Sequence, residues 1–288
     1  MNGPWPAPAK LNLFLHVIGR RADGYHEIQT VYQLIDLRDE LSFAPRNDGA
    51  ICRVEEPADV AEAEDLCLRA ARRLQAEAAT TKGIDIRLDK RIPIQGGLGG
   101  GSSDAATTLV ALNEIWGLGL GPGRLAEIGL ELGADIPLFI HGHSAWGEGI
   151  GERLTPLELP QQHFAVVFPG VGVSTADVFQ ASELTRKTPE TTIRGFLKAG
   201  GHNDCEPVVA GRSPEVRNAL AWLSKRGRAR LTGTGSCVFA AFDDRDAAEA
   251  ALAGLPGGWR GFVARGLDRS PLQERLAAER LSRDGGRV

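Results

Sequence analysis

The chain has 288 residues, 42% of them hydrophobic and 24% charged, and its 33 Lys and Arg against 37 Asp and Glu leave a net charge of −4. This length allows one large domain or two of ordinary size, and the composition is typical of a globular protein. The slightly acidic balance argues against a nucleic-acid partner, although a helix N-terminus can still bind phosphate locally.

The N-terminal segment, MNGPWPAPAK, lacks the apolar run of a signal peptide. Apolar runs elsewhere, such as 164–168, are far too short to span a membrane. The four cysteines show no CxxC spacing, so we expect buried thiols in a reducing compartment rather than a zinc site. These features predict a cytoplasmic protein with no membrane partner.

The N-terminal half mixes strand and helix patterns. Residues 10–17 alternate between aliphatic and other side chains, which predicts a strand with one buried face and with Lys10 and Asn12 together on the other. The next predicted elements are a strand, an amphipathic helix, a strand and two helices, at about 28–36, 62–76, 84–88, from 103 onward and at 123–132.

The chain after about residue 153 has the pattern of a second unit, which opens with the core strand FAVVF. Further elements are predicted as a short helix after 174–175, a polar stretch at 185–200, a helix at 214–226, a strand at 237–242, a helix at 245–253, a strand at 261–264 and an amphipathic segment at 271–282. Strands and helices mix without regular βαβ alternation, so we predict an α+β fold with domains at 1–153 and 154–288.

A glycine-rich segment, GGLGGGSS at 96–103, lies between a predicted strand and a predicted helix. Glycines let the backbone approach phosphate oxygens closely, and the N-terminus of the following helix adds positive charge. A Walker A loop would need a Lys, and a dinucleotide fingerprint would need Gly where Ser102 stands. We therefore predict a phosphate-binding loop of another kind, in preference to a flexible turn that binds nothing.

The segment from Pro93 through Gly97-Leu98-Gly99 to Ser102-Ser103 resembles the phosphate-loop signature of the GHMP kinases. Two further stretches resemble the same superfamily, namely PAKLNL at 8–13 and LTGTGSC at 231–237. Within it, the similarity is greatest to kinases of a cytidyl-substituted methylerythritol. This rests on GRRADGYH at 19–26, LGADIP at 132–137, STA at 174–176 with Phe179, NDCEP at 203–207 and GFVARG at 261–266.

The resemblance covers nearly the whole chain and implies a two-lobed GHMP kinase fold with the active site in the cleft between the lobes. It also implies ATP, accompanied by Mg²⁺, as the cofactor. The residues implied for the ATP phosphates are Pro93, Gly96, Gly97, Leu98, Gly99, Gly100, Gly101, Ser102 and Ser103. No protein ligand of the metal is implied. One departure from the pattern is Asp65, at a position near the adenine pocket where Asn is expected.

The resemblance assigns catalysis to Asp135, as acceptor of the hydroxyl proton, and to Lys10. By itself, an Asp before Ile-Pro is more often a turn or cap residue, and a Lys on a strand face is usually only solvated. The residues implied for the substrate are Asn12, Tyr25, His26, Thr175 and Phe179. Tyr25 and Phe179 are expected to sandwich a cytosine ring whose edge His26 reads.

The implied activity is phosphorylation of the 2-hydroxyl of 4-diphosphocytidyl-2-C-methyl-D-erythritol by ATP, in the non-mevalonate route to isoprenoid precursors. The expected partner is this small molecule with its cytidine diphosphate group, bound by a monomer or weak homodimer. Two alternatives stay open. One is a GHMP kinase for mevalonate, homoserine or a sugar, and the other is a catalytically silent nucleotide-binding protein. A dehydrogenase is disfavoured by the missing third glycine.

Overall fold

A computed structural model describes residues 3–55 and 61–285. Its strands are β1 (Trp5–Arg20), β2 (His26–Arg46), β3 (Ile51–Arg53), β4 (Gly83–Asp89), β5 (Ala145–Glu148), β6 (Arg153–Pro156), β7 (His163–Phe168), β8 (Arg230–Leu231), β9 (Val238–Phe242) and β10 (Arg260–Leu267). Its α-helices are α1 (Leu66–Glu77), α2 (Gly100–Trp116), α3 (Pro122–Leu130), α4 (Ile136–His141), α5 (Thr175–Gln180), α6 (Ile193–Ala199), α7 (Cys205–Arg212), α8 (Pro214–Leu223), α9 (Arg245–Ala251) and α10 (Pro271–Gly285).

The long strand β2 joins the two halves of the sheet. Along the main path the strand order is β3-β4-β2-β10-β7-β9-β8, while β1 and β5 also pair with β2. All of these pairs are antiparallel except β3 with β4. Separate apolar clusters lie under α1–α3 and under α5 and α7–α9, and a third lies between them. The predicted α+β, two-lobed architecture is confirmed.

The prediction that β1 has one buried face is wrong, because both faces are buried. Lys10, Asn12, Phe14 and His16, on the face predicted to be polar, are at most 7% exposed. The backbone N–H of Asn12 donates to Oγ1 of Thr232 at 3.0 Å, and the Phe14 ring stacks on that of Phe196 in α6. Segments distant in sequence therefore cover a face that the local pattern left open.

Several predicted boundaries change. Helix α2 begins at Gly100 rather than at 103, since Gly99 adopts a left-handed conformation and serves as its N-cap. The polar stretch at 185–200 contains α6, where Thr192 accepts from the backbone N–H of Gly195. The short helices α4 and α7 were not predicted, because one or two turns carry little periodic signal. The predicted division after residue 153 falls inside β6 and stays a prediction.

A buried charge cluster lies behind the glycine loop. Nζ of Lys90 donates to Oδ2 of Asp39 at 2.6 Å and to Oδ2 of Asp104 at 2.7 Å. Asp39 also accepts from the backbone N–H groups of Arg91 and Ile92, whereas Oδ1 of Asp104 has no hydrogen-bond partner among the described residues. Burial, reinforced by Asp39 and opposed by Lys90, raises the pKa of Asp104 to about 7. Asp39 and Asp104 share the single ammonium group of Lys90, so ionising the second of the two carboxyl groups costs free energy.

Asp104→Asn is therefore expected to remove part of the pH dependence of folding stability. A carboxyl whose folded-state pKa is raised contributes stability that is present below its ordinary pKa of 3.8 and is lost as the pH rises through about 7. The wild-type urea midpoint should fall between about pH 5 and pH 8, and that fall should be smaller in the variant. Asp243→Asn, at an exposed position, is the control, and an unchanged pH dependence in Asp104→Asn would contradict the prediction.

Candidate active site

A cleft of about 710 Å³ follows β1, the glycine loop and the N-terminus of α2. The predicted site residues that line it are Lys10, Asn12, Pro93, Gly96, Gly97, Leu98, Gly99, Gly100, Gly101, Ser102, Asp135, Thr175 and Phe179. Tyr25, His26 and Ser103 do not line it directly. Residues from both halves of the chain thus meet along one continuous surface.

Lys10 and Asp135 face each other at the centre of the cleft. Nζ of Lys10 lies 3.6 Å from Oδ2 of Asp135, and it donates to the carbonyl of Gly97 at 2.9 Å and to Oδ1 of Asn12 at 2.5 Å. Asp135 is the N-cap residue of α4, yet its side chain makes no capping hydrogen bond. Its carboxylate, 29% exposed, is therefore available to a ligand in the cleft.

Burial lowers the pKa of Lys10, while the neighbouring carboxylate of Asp135 opposes this effect. The side-chain amide of Asn12 is engaged within the protein, because its oxygen accepts from Lys10 and its nitrogen donates to Oγ1 of Thr30 at 2.8 Å. Asn12 thereby holds the ammonium group of Lys10 in one position. The two side chains share a strand face, as the alternation along β1 predicted.

The glycine loop packs against the turn at 231–237. The backbone N–H of Cys237 donates to the carbonyl of Gly96 at 3.0 Å, and Oγ1 of Thr232 donates to that of Gly97 at 3.2 Å. Gly97 and Gly99 have φ values of +73° and +71°, a region that favours glycine. Beyond the loop, the first N–H groups of α2 have no carbonyl partners within the helix.

These features fit the phosphates of a nucleotide. An α-helix of 17 residues presents its N-terminus to the cleft, which favours bound anions. The hydroxyl of Ser103, at the start of this helix, is buried and has no hydrogen-bond partner within residues 3–55 and 61–285. Close backbone approach, free N–H groups and the ammonium group of Lys10 together form an anion-binding surface beside the Asp135 carboxylate.

Of the three predicted aromatic residues, Phe179 lines the cleft and contacts His26. The rings of His26 and Phe179 stack with centroids 5.2 Å apart, and Tyr25 is 60% exposed. Nε of Arg186 donates to Nε2 of His26 at 3.0 Å, so the neutral imidazole carries its proton on Nδ1. Burial, and secondarily Arg186, lowers the pKa of His26. Oγ1 of Thr175 lies 2.9 Å from Oγ1 of Thr234 in the glycine turn.

Sequence reasoning missed Tyr32, whose hydroxyl donates to Oδ1 of Asp135 at 3.2 Å. Tyr32 pairs directly with Asn12 across β1 and β2, and its ring is fully buried. Burial and the Asp135 carboxylate raise its pKa well above the ordinary value, so it stays a neutral donor. The register of β1 against β2 places Tyr32 beside Asp135, and that register cannot be derived from the sequence alone.

Asp65, which the resemblance placed near the adenine pocket, lines the cleft, and so does Arg53, which the sequence reasoning did not single out. Asp65 is the N-cap of α1, where Oδ1 accepts from the backbone N–H groups of Cys67 and Leu68.

Within residues 3–55 and 61–285, no group of three or more His, Cys, Asp or Glu is arranged to hold a metal ion. The helices of the same ranges include none that is long and apolar enough to cross a membrane.

Comparison with known proteins defines the class. The GHMP kinases N-terminal domain model matches residues 65–143, and the GHMP kinases C-terminal model matches residues 183–260. A crystal structure of mevalonate kinase superposes with a TM-score of 0.65 at 16% identity, covering 92% of this chain and 99% of that one, which shows the fold alone. The protein is a kinase of the GHMP class, and members of this class use ATP.

Three relatives show to which family within the GHMP kinases the chain belongs. A 4-diphosphocytidyl-2-C-methyl-D-erythritol kinase of Ectopseudomonas mendocina (strain ymp) is 57% identical over 274 residues, or 95% of this chain and 94% of that protein. One of Halorhodospira halophila (strain DSM 244 / SL1) is 54% identical over 276 residues, 95% and 96% respectively. A crystal structure of 4-(cytidine 5'-diphospho)-2C-methyl-D-erythritol kinase has a TM-score of 0.80 at 32% identity, covering 91% and 98%. The chain belongs to the family of the 4-diphosphocytidyl-2-C-methyl-D-erythritol kinases.

Proposed function

We propose that the protein transfers the γ-phosphoryl group of ATP to the 2-hydroxyl of 4-diphosphocytidyl-2-C-methyl-D-erythritol. The products are the 2-phosphate and ADP, and the reaction belongs to the non-mevalonate route to isoprenoid precursors. The observation that carries this proposal is the Lys10–Asp135 pair, which lines one cleft together with the glycine loop and Phe179. The high identity to kinases of this name supports it.

In the proposed reaction, the acceptor hydroxyl lies against the carboxylate of Asp135. As the hydroxyl oxygen forms its bond to the γ-phosphorus and the bond to the ADP oxygen breaks, Asp135 accepts the hydroxyl proton. Tyr32 donates to Oδ1 of Asp135 and fixes the carboxylate orientation. Lys10 stabilises the negative charge on the transferring group, and its contacts with Asn12 and Gly97 hold it in place.

The glycine loop would hold the ATP phosphates through the N–H groups at the start of α2, beginning at Gly100. Mg²⁺ is proposed to accompany ATP, where it neutralises charge on the phosphate oxygens. The hydroxyl group of Ser102, which lines the cleft, is proposed to contact this metal–phosphate group. The predicted contact of Ser103 would need a local rearrangement, because its side chain is buried and does not line the cleft. Aspartate and glutamate clusters that would hold the ion without the nucleotide are absent from the described residues.

The predicted substrate residues Tyr25, His26, Thr175 and Phe179 are proposed to bind the cytidine diphosphate group. Phe179 and Tyr25 would sandwich the cytosine ring, and the exposure of Tyr25 leaves its face accessible. His26 would read the base edge with the proton on Nδ1, because Arg186 occupies Nε2. Thr175, at the start of α5 and lining the cleft, would contact the diphosphate or the sugar.

We also propose that domain 1–153 binds ATP and that domain 154–288 contributes to substrate binding, as the positions of Thr175 and Phe179 support. A cytoplasmic location is supported by the use of ATP and by four cysteines without disulfides. The proposed oligomeric state, a monomer or weak homodimer, can be measured by sedimentation.

The test is ADP release by the purified protein with Mg²⁺ and ATP, in the presence of 4-diphosphocytidyl-2-C-methyl-D-erythritol, mevalonate or homoserine. We expect release that depends on the cytidyl substrate and is absent with the other two. Release with mevalonate or homoserine would reassign the substrate. No release with any of them, in a protein that still binds ATP, would favour a silent nucleotide-binding protein.

A further inference from the structure

Gln95, the residue before the glycine loop, has a left-handed backbone. Its φ is +54°, and the only other non-glycine residue with a positive φ in the part of the chain that the structure describes is Ala79, just beyond the end of α1. This conformation crowds a side chain against the backbone and costs free energy, whereas glycine adopts it without strain. A glutamine held in this conformation at a cleft is therefore a candidate for a role in binding.

The backbone of Gln95 joins the glycine loop to two segments from the second half of the chain. Its carbonyl oxygen accepts from the backbone N–H of Val173 at 3.3 Å and from that of Ser236 at 3.2 Å. Thr175 follows Val173 by two residues, and Thr234 precedes Ser236 by two. Both threonines line the cleft, and their hydroxyl oxygens lie 2.9 Å apart. Gln95 is thus held next to the segments that carry both threonines.

The side chain of Gln95 lies beside Gly172. A Cβ on Gly172 would overlap Oε1 of Gln95 and would lie 3.0 Å from its Cβ, so a larger residue at position 172 would displace the glutamine side chain. Gln95 is exposed and lines the cleft. Its amide is therefore accessible to a ligand that binds there.

Two ligands of the proposed reaction carry phosphate groups. The N–H groups proposed for the ATP phosphates begin at Gly100, the first residue of α2, and a Cβ on Gly99 would lie 3.1 Å from the side chain of Lys10. Gln95 precedes this part of the loop and contacts the segment that leads to Thr175, which is proposed to contact the substrate. The diphosphate of the cytidyl substrate is therefore the phosphate group that Gln95 is placed to meet.

We propose that Nε2 of Gln95 donates a hydrogen bond to the diphosphate of the cytidyl substrate, and that Gln95 thereby helps to select substrates that carry this group. This inference rests on the proposed function. An amide N–H is a suitable donor to a charged phosphate oxygen, whereas a carboxylate at the same position would repel the diphosphate.

Gln95→Gly is the first test, measured as kcat and KM. The melting temperature should stay close to that of the wild type, because relief of backbone strain offsets the greater freedom of glycine in the unfolded chain. KM for the cytidyl substrate is expected to rise roughly 10- to 100-fold, the range for loss of a hydrogen bond to a charged group, with KM for ATP within about threefold. A rise in KM for ATP alone, or no rise in either, would overturn the proposal.

A charge series at the same position separates contact with the ligand from support of the backbone. Gln95→Glu and Gln95→Lys keep a side chain in the left-handed conformation and change only its charge. We expect KM for the cytidyl substrate to be highest in Gln95→Glu and to equal or fall below the wild-type value in Gln95→Lys. Gln161→Glu, at an exposed position outside the cleft, is the matched control. Equal KM values in the two charged variants would mean a structural role and would overturn the proposal.

Binding of cytidine diphosphate to the whole protein, measured by calorimetry with ADP present, needs no turnover. The affinity should fall at least tenfold in Gln95→Glu, while cytidine, which has no phosphate, should bind the variant and the wild type equally. This result in a protein that does not phosphorylate the cytidyl substrate would support the Gln95 contact and refute the proposed reaction. Phosphorylation of that substrate, with equal affinity of Gln95→Glu and the wild type for cytidine diphosphate, would overturn the contact and leave the reaction intact.

Discussion

Replacing Asp135 with Asn is expected to lower kcat by roughly 10²- to 10⁴-fold, the range for loss of a general base, while the fold stays intact. The amide cannot accept the hydroxyl proton. Its oxygen can still accept from Tyr32, and the side chain makes no capping bond on which α4 depends. The measurement is ADP release with the cytidyl substrate, beside a thermal melt that should match the wild type.

A second readout of Asp135→Asn is the alkaline limb of the pH–rate profile. Burial lowers the pKa of Lys10, and the Asp135 carboxylate opposes this. Without the carboxylate, Lys10 should lose its proton at lower pH, so residual activity should decline at lower pH than in the wild type. Asp243→Asn is the control for a surface charge. Wild-type turnover in Asp135→Asn would remove the general-base role and leave Asp135 only an orienting one.

Gly97→Ala is expected to reduce both stability and ATP binding. Gly97 has a φ of +73°, and a Cβ there would lie 2.3 Å from the carbonyl oxygen of Thr232 and 2.9 Å from that of Gly235. Left-handed backbone costs a non-glycine residue about 1–2 kcal/mol, and overpacking costs about 1–3 kcal/mol more. The free energy of unfolding should fall by about 2–5 kcal/mol, measured by urea titration.

Activity should fall with it, since any relief of the clash moves the loop away from the glycine turn. We expect KM for ATP to rise at least tenfold. The matched control is Gly123→Ala in α3, where a Cβ would meet no atom within 4 Å. That change should stabilise the protein by about 0.4–1 kcal/mol. A Gly97→Ala protein as stable and as active as the wild type would contradict the observed loop geometry.

Local patterns predicted much of the fold. The alternation at 10–17 located β1 and placed Lys10 and Asn12 on one face, and helical spacing located α1, α2, α3 and α8 to within a few residues. The α+β class followed from the order of these elements. The short helices α4, α6 and α7 were not predicted, because one or two helical turns are stabilised by packing rather than by an amphipathic pattern.

In the candidate site too, some features could be predicted from local sequence and others could not. The glycine loop was recognisable from composition alone, because close backbone approach to phosphate requires glycine. The assignment of Asp135, Tyr25 and His26 needed the family resemblance, since each residue by itself has a common structural explanation. The structure brings Lys10 and Asp135 within ion-pair distance, although 125 positions apart in sequence, and it stacks His26 on Phe179.

The sequence by itself determined the strand and helix periods, the phosphate-loop chemistry and the family of this protein. Only the tertiary structure decided that the polar face of β1 is buried, that Tyr32 donates to Asp135 and that Arg53 lies beside Asp65 without a hydrogen bond. The physical reason is that periodicity specifies which side chains share a face, whereas the segments that cover the face are set by strand register and long-range packing.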